Sequence, residues 1–299
     1  MIAKPKHKGL VLLLGLIIMV LLNACDKPVI VPAINDLPTN TYHPGKIVWH
    51  DLFTNDVSSS KEFYNKLFGW EFESEEEANS IFTLIKFNGK RIGGIVDINQ
   101  LKQEVKRPRW LAYISVPDVA AAVKEIESKG GFIFADTREL RNRGTIAIFS
   151  DPQGAPLALL ESSSGDPIDA EPKTGEWLWN ELWTSDTKAA VKFYSNIIGY
   201  ESDLVDSESD VDYTVLRKED KLRAGVFKMP IEEHPDWLPY VAVSNPEATI
   251  KLAEQLGATI LLNTETIIGD KSAVIVDPGG AVFSIQKWPV DTKMLKEKK

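Results

Sequence analysis

The sequence contains very little sulfur and very little histidine. Its 299 residues include one cysteine, Cys25, and four histidines. A single cysteine cannot form an intramolecular disulfide, and it offers too few thiolates for a structural zinc site.

Basic residues (34) are outnumbered by acidic residues (43), which gives a formal net charge of −9. This balance argues against nucleic acid as a partner, because its binding depends largely on positive charge.

Long hydrophobic runs are also missing, apart from one near the start. Residues 10–22 form an unbroken apolar run, which is shorter than the roughly 20 residues that span a membrane. Lys4, Lys6 and Lys8 precede this run, and Leu22-Asn23-Ala24-Cys25 follows it. The arrangement resembles a bacterial lipoprotein signal, in which Cys25 is lipidated and becomes the first residue of the mature protein. A short membrane anchor with an unmodified cysteine is the alternative.

The lipoprotein resemblance implies a location. Residues 1–24 would be a signal peptide, and the rest of the chain would face the periplasm of the cell envelope on a lipid anchor. Asp26 is similar to a signal that retains lipoproteins in the inner membrane, which leaves that membrane as one of two destinations. Residues 25–44 are rich in proline and show little periodicity. They are predicted to be a semi-flexible tether with a reach on the order of 25 Å.

One stretch of the chain occurs twice. Residues 46–70 and 176–200 share several identical positions at an offset of 130, which include Trp49 and Trp179, Asp56 and Asp186, Phe63 and Phe193, Tyr64 and Tyr194, and Gly69 and Gly199. Each copy begins with an apolar stretch that suits a buried strand. It continues with helical spacing that starts at an aspartate N-cap and stops at a glycine. The pattern predicts a duplicated strand, turn and amphipathic helix.

Short apolar runs complete each unit. Three strands are predicted after the first helix, and Asn88-Gly89 is a hairpin signal between two of them. The same order repeats from Arg109, and both units repeat in the second half. The predicted fold class is therefore α+β, with four βαβββ modules paired into two domains. The predicted boundaries are 45–163 for the first domain, 164–174 for a linker, 175–290 for the second domain and 291–299 for a charged tail.

The combination resembles the vicinal-oxygen-chelate superfamily, which contains glyoxalases, bleomycin-resistance proteins and extradiol dioxygenases. The resemblance rests on Phe-Tyr in the first and third helices, on Asp-Pro-x-Gly at Asp151 and Asp277, and on the four modules. It covers nearly the whole chain after the tether. It implies that two modules pair so that their curved sheets form a cup, in which a ligand or a metal sits.

The resemblance also implies where metal ligands would stand. Seven residues before each helix cap and seven after each Asp of Asp-Pro-x-Gly, the chain has Trp49, Leu111, Ala158, Trp179, Leu238 and Ser284. Indole nitrogen only donates hydrogen bonds, leucine and alanine offer no donor atom, and a lone serine is a poor ligand. No metal and no other cofactor is therefore predicted. His50 lies on the opposite strand face and is predicted to be a buried or partly buried histidine with one backbone partner.

Aromatic residues and one carboxylate stand in each cup instead. The predicted ligand-binding residues are Trp49, Asp51, Phe53 and Tyr113 in the first cup, and Trp177, Trp179, Glu181, Trp183 and Tyr240 in the second. Such a wall stacks flat ligands and attracts cations, with Asp51 or Glu181 as the charged partner. The alternative is that the side chains simply fill the cups. That alternative is less favourable in the second cup, where Glu181 would be buried and unpaired.

Three classes of function follow from this pattern. The first is an envelope-anchored protein that binds a small aromatic or cationic molecule without a metal, either as a monomer or as a homodimer. The second is an enzyme of the same fold, a lyase, isomerase or dioxygenase-like protein that uses Asp51 or Glu181 as a base or metal ligands elsewhere. The third is a protein-interaction module. The fold alone does not choose between them.

Overall fold

The computed structural model describes residues 31–74, 81–101, 107–204, 213–229, 234–265 and 271–289. The predicted signal peptide, Cys25 and the predicted tail lie outside these ranges. Among the described residues, no helix is long and apolar enough to cross a membrane.

The first half of the chain follows the predicted order of elements twice. These are β1 (Ile47–Thr54), α1 (Val57–Phe68), β2 (Glu71–Ser74), β3 (Phe82–Phe87), β4 (Lys90–Asp97), β5 (Arg109–Ser115), α2 (Val119–Ser128), β6 (Phe132–Leu140), β7 (Gly144–Ser150) and β8 (Pro156–Ser162). Each helix thus follows the first strand of its module and precedes the other three.

The second half repeats this order. Its elements are β9 (Trp177–Thr184), α3 (Thr187–Ile198), β10 (Glu201–Leu204), β11 (Tyr213–Lys218), β12 (Lys221–Lys228), β13 (Asp236–Val243), α4 (Pro246–Gln255), β14 (Thr259–Glu265), β15 (Lys271–Val276) and β16 (Val282–Lys287). Four βαβββ modules are therefore present, as the sequence predicts.

Each half forms one mixed sheet of eight strands. The strand order is β2-β3-β4-β1-β5-β8-β7-β6 in the first sheet and β10-β11-β12-β9-β13-β16-β15-β14 in the second. The first strands of the two modules lie side by side at the centre of each sheet and run antiparallel. The α+β fold of two paired-module domains is confirmed.

The repeated strand-turn-helix owes its sharp boundaries to two residue types. The Asp56 carboxylate accepts a hydrogen bond from the backbone N–H of Ser59 at 2.9 Å, which satisfies one of the free donors at the start of α1. Asp186 does the same for Ala189 in α3. Both helices end at a glycine in the left-handed conformation, Gly69 (φ 74°) and Gly199 (φ 76°). Only glycine adopts this conformation without steric cost.

The two domains pack against each other through their helical sides. One apolar cluster joins α1 and the first sheet to α4 and the second sheet, and it includes Phe63, Tyr64 and Phe283. The Tyr64 hydroxyl donates to Asp277 Oδ2 at 2.9 Å, and the equivalent Tyr194 donates to Asp151 Oδ2 at 3.4 Å. The Phe-Tyr and Asp-Pro-x-Gly motifs therefore meet across the domain interface. The opposite faces of both sheets point away from it.

The segment before β1 is not a free coil. Ile34 is fully buried and Val31 is 8% exposed, and both join the apolar cluster on the outer face of the first sheet. Further along, Thr39 N–H donates to the Ser164 carbonyl at 2.9 Å, in the predicted linker. The prediction of a semi-flexible tether is therefore wrong from Val31 onward. Proline content signalled a lack of regular structure, but buried apolar side chains hold the segment in place.

Candidate functional site

The outer face of each sheet carries one of the two predicted cups. We call cup 1 the face of the first sheet with Trp49, Phe53, Leu111 and Tyr113, which share one apolar cluster. We call cup 2 the face of the second sheet with Trp179, Trp183, Leu238 and Tyr240, which share another. The central strands β1 and β5, or β9 and β13, supply these side chains because alternate residues of a strand point to the same face.

The centre of cup 2 is the carboxylate of Glu181. Tyr240 donates its hydroxyl to Oε2 at 2.5 Å, and Trp183 donates its indole N–H to the same oxygen at 3.1 Å. Tyr213 donates to Oε1 at 2.9 Å and accepts from Trp179 at 3.1 Å. Glu181 is therefore fixed by three donors, and the aromatic rings that surround it are held in place by the same bonds.

A glycine on the neighbouring strand makes room for the hydrogen bond from Tyr213 to Glu181. Gly225 on β12 is the neighbour of Glu181 on β9. A Cβ atom at Gly225 would lie 2.3 Å from the Tyr213 hydroxyl oxygen, a separation that no real Cβ can adopt. Glycine inside a strand is unfavourable unless another group must approach closely. Its presence here indicates that the hydroxyl occupies the space a side chain would fill.

Burial sets the protonation chemistry of cup 2. Loss of solvent raises the pKa of the Glu181 carboxyl, against the opposing effect of the hydrogen bonds from Tyr240, Trp183 and Tyr213. Loss of solvent and the nearby carboxylate also raise the pKa of Tyr213 and of Tyr240, so both remain protonated donors. A carboxyl with a raised pKa can accept a proton near neutral pH more readily than an exposed one.

Trp177 does not line cup 2, and the prediction that it does is wrong. Its indole packs against Trp70 and Trp110 on the helical side of the sheet, with ring centroids at 5.0 and 4.9 Å. The cause is a β-bulge: Tyr240 pairs with Trp179 while Val241 pairs with Trp177, which leaves Leu178 as an extra residue. The bulge breaks the strict alternation, so Leu178 joins cup 2 in its place.

Cup 1 brings together its predicted residues but leaves them buried. Trp49, Asp51, Phe53 and Tyr113 are 1%, 2%, 6% and 4% exposed. Trp49 donates its indole N–H to Asp51 Oδ1 at 2.7 Å. Burial raises the pKa of the Asp51 carboxyl, while a neighbouring arginine opposes that shift. The filled alternative therefore describes cup 1, where the chain's own residues 31–34 supply part of the filling.

The arginine in cup 1 is Arg143, which the sequence analysis missed. It follows β6, is 1% exposed, and its Nη1 lies 3.7 Å from Asp51 Oδ2. Its guanidinium carbon is 4.6 Å from the centroid of Trp49, a cation–π distance. Burial lowers the pKa of Arg143. In cup 2 the equivalent carboxylate, Glu181, accepts hydrogen bonds from tyrosine and tryptophan side chains instead of pairing with an arginine. The two cups therefore differ in charge and in solvent exposure.

The positions at which the superfamily resemblance places metal ligands do not fit a metal in either domain. Trp49, Leu111 and Ala158 belong to the cup 1 cluster, and Trp179 and Leu238 to that of cup 2. Ser284 lies beside Tyr240 on the neighbouring strand. Among the residues that the structure describes, no group of three histidine, cysteine, aspartate or glutamate side chains could hold an ion.

His50 lies outside both cups, at the centre of the domain interface. Its Nε2 is 2.8 Å from the side-chain oxygen of Asn180, the residue 130 positions later. The equivalent residues of the two repeats thus contact each other. Loss of solvent lowers the pKa of His50 to about 4, although the bond to Asn180 opposes this shift. The prediction that His50 is buried is confirmed, but its partner is the Asn180 side chain and not the predicted backbone group.

Comparison with known proteins agrees with this architecture. Residues 46–159 match the model of the Glyoxalase/Bleomycin resistance protein/Dioxygenase superfamily. The first domain is a domain of this superfamily. The "Putative glyoxylase CFP32" of Mycobacterium tuberculosis (strain CDC 1551 / Oshkosh) is 29% identical, covering 82% of this chain and 96% of its own. The "Anthracycline biosynthesis protein DnrV" of Streptomyces peucetius is 26% identical, covering 82% and 94%.

Solved structures of a glyoxalase and of a dioxygenase share the fold. A manganese-bound glyoxalase from Novosphingobium aromaticivorans superposes with a TM-score of 0.56 at 17% identity, covering 81% of this chain and 82% of that one. The 2,3-dioxygenase LapB from Pseudomonas sp. KL28 gives 0.55 at 12% identity, covering 81% and 91%. At such identities the likeness establishes a fold, whereas metal binding depends on the side chains present here.

Proposed function

We propose that cup 2 binds a small organic molecule, planar or cationic, without a metal. This proposal rests on the partial exposure of the cup 2 side chains to solvent. Trp179, Glu181 and Trp183 are partly exposed, whereas the equivalent Trp49, Asp51 and Phe53 are buried. Partly exposed indoles around an oriented carboxylate are the arrangement that stacks a flat ligand and pairs with its positive charge.

The hydrogen bonds to Glu181 leave room for a ligand donor. An ionised carboxylate has roughly four lone-pair directions, and three are used by Tyr240, Trp183 and Tyr213. One acceptor direction remains, and the donors already present keep the carboxylate in a fixed orientation. A bound N–H or ammonium group would therefore meet a prepared acceptor. Preorganisation of this kind reduces the entropy lost on binding.

The proposal can be tested by following tryptophan fluorescence during a titration with ethidium, which is planar and cationic, and with phenanthridine, its neutral counterpart. Glu181→Gln keeps the shape and removes the charge. We expect it to weaken ethidium binding by about 1–3 kcal/mol, the range for a hydrogen bond to a charged group, with little effect on phenanthridine. Trp179→Ala should weaken both, because stacking area is lost.

A matched control distinguishes the loss of charge at the site from a loss of charge elsewhere on the domain. Glu201→Gln removes one negative charge from an exposed position on β10 of the same domain, and it should leave both affinities unchanged. Circular dichroism establishes that each variant is folded. A folded Trp179→Ala variant that binds both compounds as tightly as the parent would show that the open aromatic cup is wrong, as would a parent protein that binds neither.

Catalysis at the same carboxylate is the second candidate. It is favoured by the raised pKa of Glu181 and by two protonated tyrosines within hydrogen-bond distance, which together could move a proton. A relative is named a "Putative glyoxylase". Conversion of the methylglyoxal–glutathione hemithioacetal, with and without added divalent metals, would test this candidate. Activity that Glu181→Gln abolishes would favour it over binding alone.

Anchoring in the cell envelope is the remaining part of the proposal. It is supported by the lysines, the apolar run and the Leu-Asn-Ala-Cys sequence that ends at Cys25. If Cys25 carries the lipid, only residues 26–30 separate it from Val31, which is fixed on the body. That stretch spans at most roughly 20 Å. Cup 1 would then lie close to the bilayer, and the protein would not sit on a long flexible tether.

A further inference from the structure

Equivalent positions of the two cups differ sharply in solvent access. Trp49 and Asp51 are almost inaccessible, whereas Trp179 and Glu181 on the repeated strand are partly exposed. In cup 1 the covering group is visible. It is the segment of residues 31–36, which precedes the first domain and enters the face where a ligand of this fold would sit. The contacts of this segment resemble those of a bound ligand.

The apolar side of the segment is formed by buried residues, of which Ile34 is the most completely buried. Ile34 is among the largest fully buried side chains of the protein, and it lies in the cluster that contains Trp49, Leu111 and Tyr113. Val31 belongs to the same cluster. The chain after Ile34 is exposed at Asp36 and at Leu37, which is 80% exposed. The segment thus inserts two branched apolar side chains, those of Val31 and Ile34, and then returns to the surface.

Two polar contacts of the segment are made by its main-chain carbonyl groups, and others by the side chains of Asn35 and Asp36. Arg143 Nε donates to the Pro32 carbonyl at 2.7 Å, and Arg91 Nη1 donates to the Ala33 carbonyl at 2.8 Å. Arg91 Nε also lies 2.7 Å from Asp36 Oδ1. Two guanidinium groups therefore bind successive carbonyls of the segment. Contacts of this type recognise a backbone or an acyl group regardless of its side chains.

Arg143 has donor capacity that the rest of cup 1 does not use. Its guanidinium is buried beside Asp51 and faces the rings of Trp49 and Phe82 at 4.6 and 5.4 Å. In the part of the chain that the structure describes, its Nη2 has no hydrogen-bond partner. Buried polar groups of purely structural residues are almost always paired. The Nη2 donor, next to the Nε that binds a carbonyl, is therefore available to an acceptor group that enters cup 1.

We propose that cup 1 is a second binding site and that residues 31–36 are its built-in ligand. The site takes an acyl or peptide-like molecule that places a carbonyl or carboxylate oxygen on Arg143 and a branched apolar group in the pocket of Ile34. With the segment seated, the site is closed to other molecules. This proposal concerns cup 1 and is independent of what cup 2 binds.

The test uses the full chain with a protease recognition sequence inserted between Leu37 and Pro38, which are exposed. Insertion at an exposed loop is generally tolerated. After cleavage of the folded protein, only non-covalent contacts retain the segment. The probe is a capped peptide, Val-Pro-Ala-Ile-Asn-Asp, which copies residues 31–36. We expect the cut protein to stay folded, to release its fragment on dilution and to bind the peptide saturably.

Two changes should weaken peptide binding to the cut protein. A peptide with alanine in place of Ile34 should bind at least about tenfold more weakly, because the buried side chain is lost. Arg91→Met in the protein should also cost about tenfold, because a charge-assisted hydrogen bond to Ala33 and the pairing with Asp36 are lost. The uncut protein with the same insertion is the control, and it should not bind the peptide.

Hydrogen exchange on the uncut chain provides an independent measurement. Ile34→Ala should accelerate exchange of residues 31–36 by about tenfold or more without changing the exchange of β1 or β5, since local opening is cheaper than global unfolding. The proposal is overturned if the cut protein unfolds when the fragment leaves, or if the folded cut protein fails to bind the peptide. It is equally overturned if residues 31–36 exchange only through global unfolding. Each of these results would make the segment an integral part of the core.

Discussion

The pH dependence of stability should report directly on His50. Its Nε2 pairs with Asn180 and its Nδ1 has no hydrogen-bond partner among the described residues, so a second proton would enter a buried site without an acceptor. Burial lowers the pKa of the folded state to about 4 from an ordinary value of 6.5. Each unit of difference is worth about 1.4 kcal/mol, and the full effect is therefore about 3 kcal/mol.

The sign of the effect follows from proton linkage. Between pH 6.5 and 4 the unfolded chain binds a proton at His50 that the folded protein does not bind. Stability from this group is therefore complete above pH 6.5 and falls as the pH decreases toward 4. Buried carboxyls with raised pKa values, such as Asp51 and Glu181, act in the opposite direction over part of the same range. The parent must therefore be compared with a variant that lacks only the histidine.

The assay is urea unfolding of the parent and of His50→Gln at intervals from pH 7.5 to 4. We expect the stability difference between the two proteins to shift by about 3 kcal/mol in favour of the variant as the pH falls. Asn180→Asp is a second variant. It places a carboxylate against the imidazole, which should raise the pKa of His50 and reduce the loss at low pH. A parent and a His50→Gln variant with parallel pH profiles would refute the assignment.

Two further predictions concern the N-terminus and metals. Cys25→Ser should abolish labelling of the protein by a palmitate analogue in cells, and labelling that persists would refute lipidation at this residue. Treatment of the purified protein with a chelator should leave its melting temperature unchanged, because the superfamily ligand positions of cup 2, Trp179, Leu238 and Ser284, cannot hold an ion from which folding would gain stability. A fall of several degrees that zinc, iron or manganese reverses would show that ligands exist elsewhere.

The fold was largely predictable because its signals are local. A helix that begins at Asp56 and ends at Gly69 is encoded within its own residues by a capping side chain and a left-handed glycine. The recurrence of the pattern then reveals the four modules. Gly94 and Gly225 lie in the equivalent strands β4 and β12 of the two domains, and neither was part of the prediction. A glycine at such a position signals close approach, and Gly225 does admit the Tyr213 hydroxyl.

The candidate site was less predictable because its contacts are distant in sequence. Arg143 meets the Pro32 carbonyl across 111 positions, and no local pattern relates a loop arginine to a segment before the first strand. The error at Trp177 has a different origin. Strict alternation predicts that Trp177, Trp179 and Trp183 lie on the same face of the strand. The extra residue Leu178 breaks this alternation, so Trp177 lies on the opposite face. Bulges of this kind have no clear sequence signal.

The contacts between the repeats explain how two similar domains can carry different cups. Tyr64 reaches Asp277 and Tyr194 reaches Asp151, and the equivalent His50 and Asn180 meet between these pairs. The helical faces of both sheets are buried in the interface between the domains, where a change in one domain must be matched by a change in the other. The outer faces have no such constraint. A carboxylate can therefore pair with a buried arginine at Asp51 and with tyrosines and a tryptophan at Glu181, while the interface between the domains remains the same.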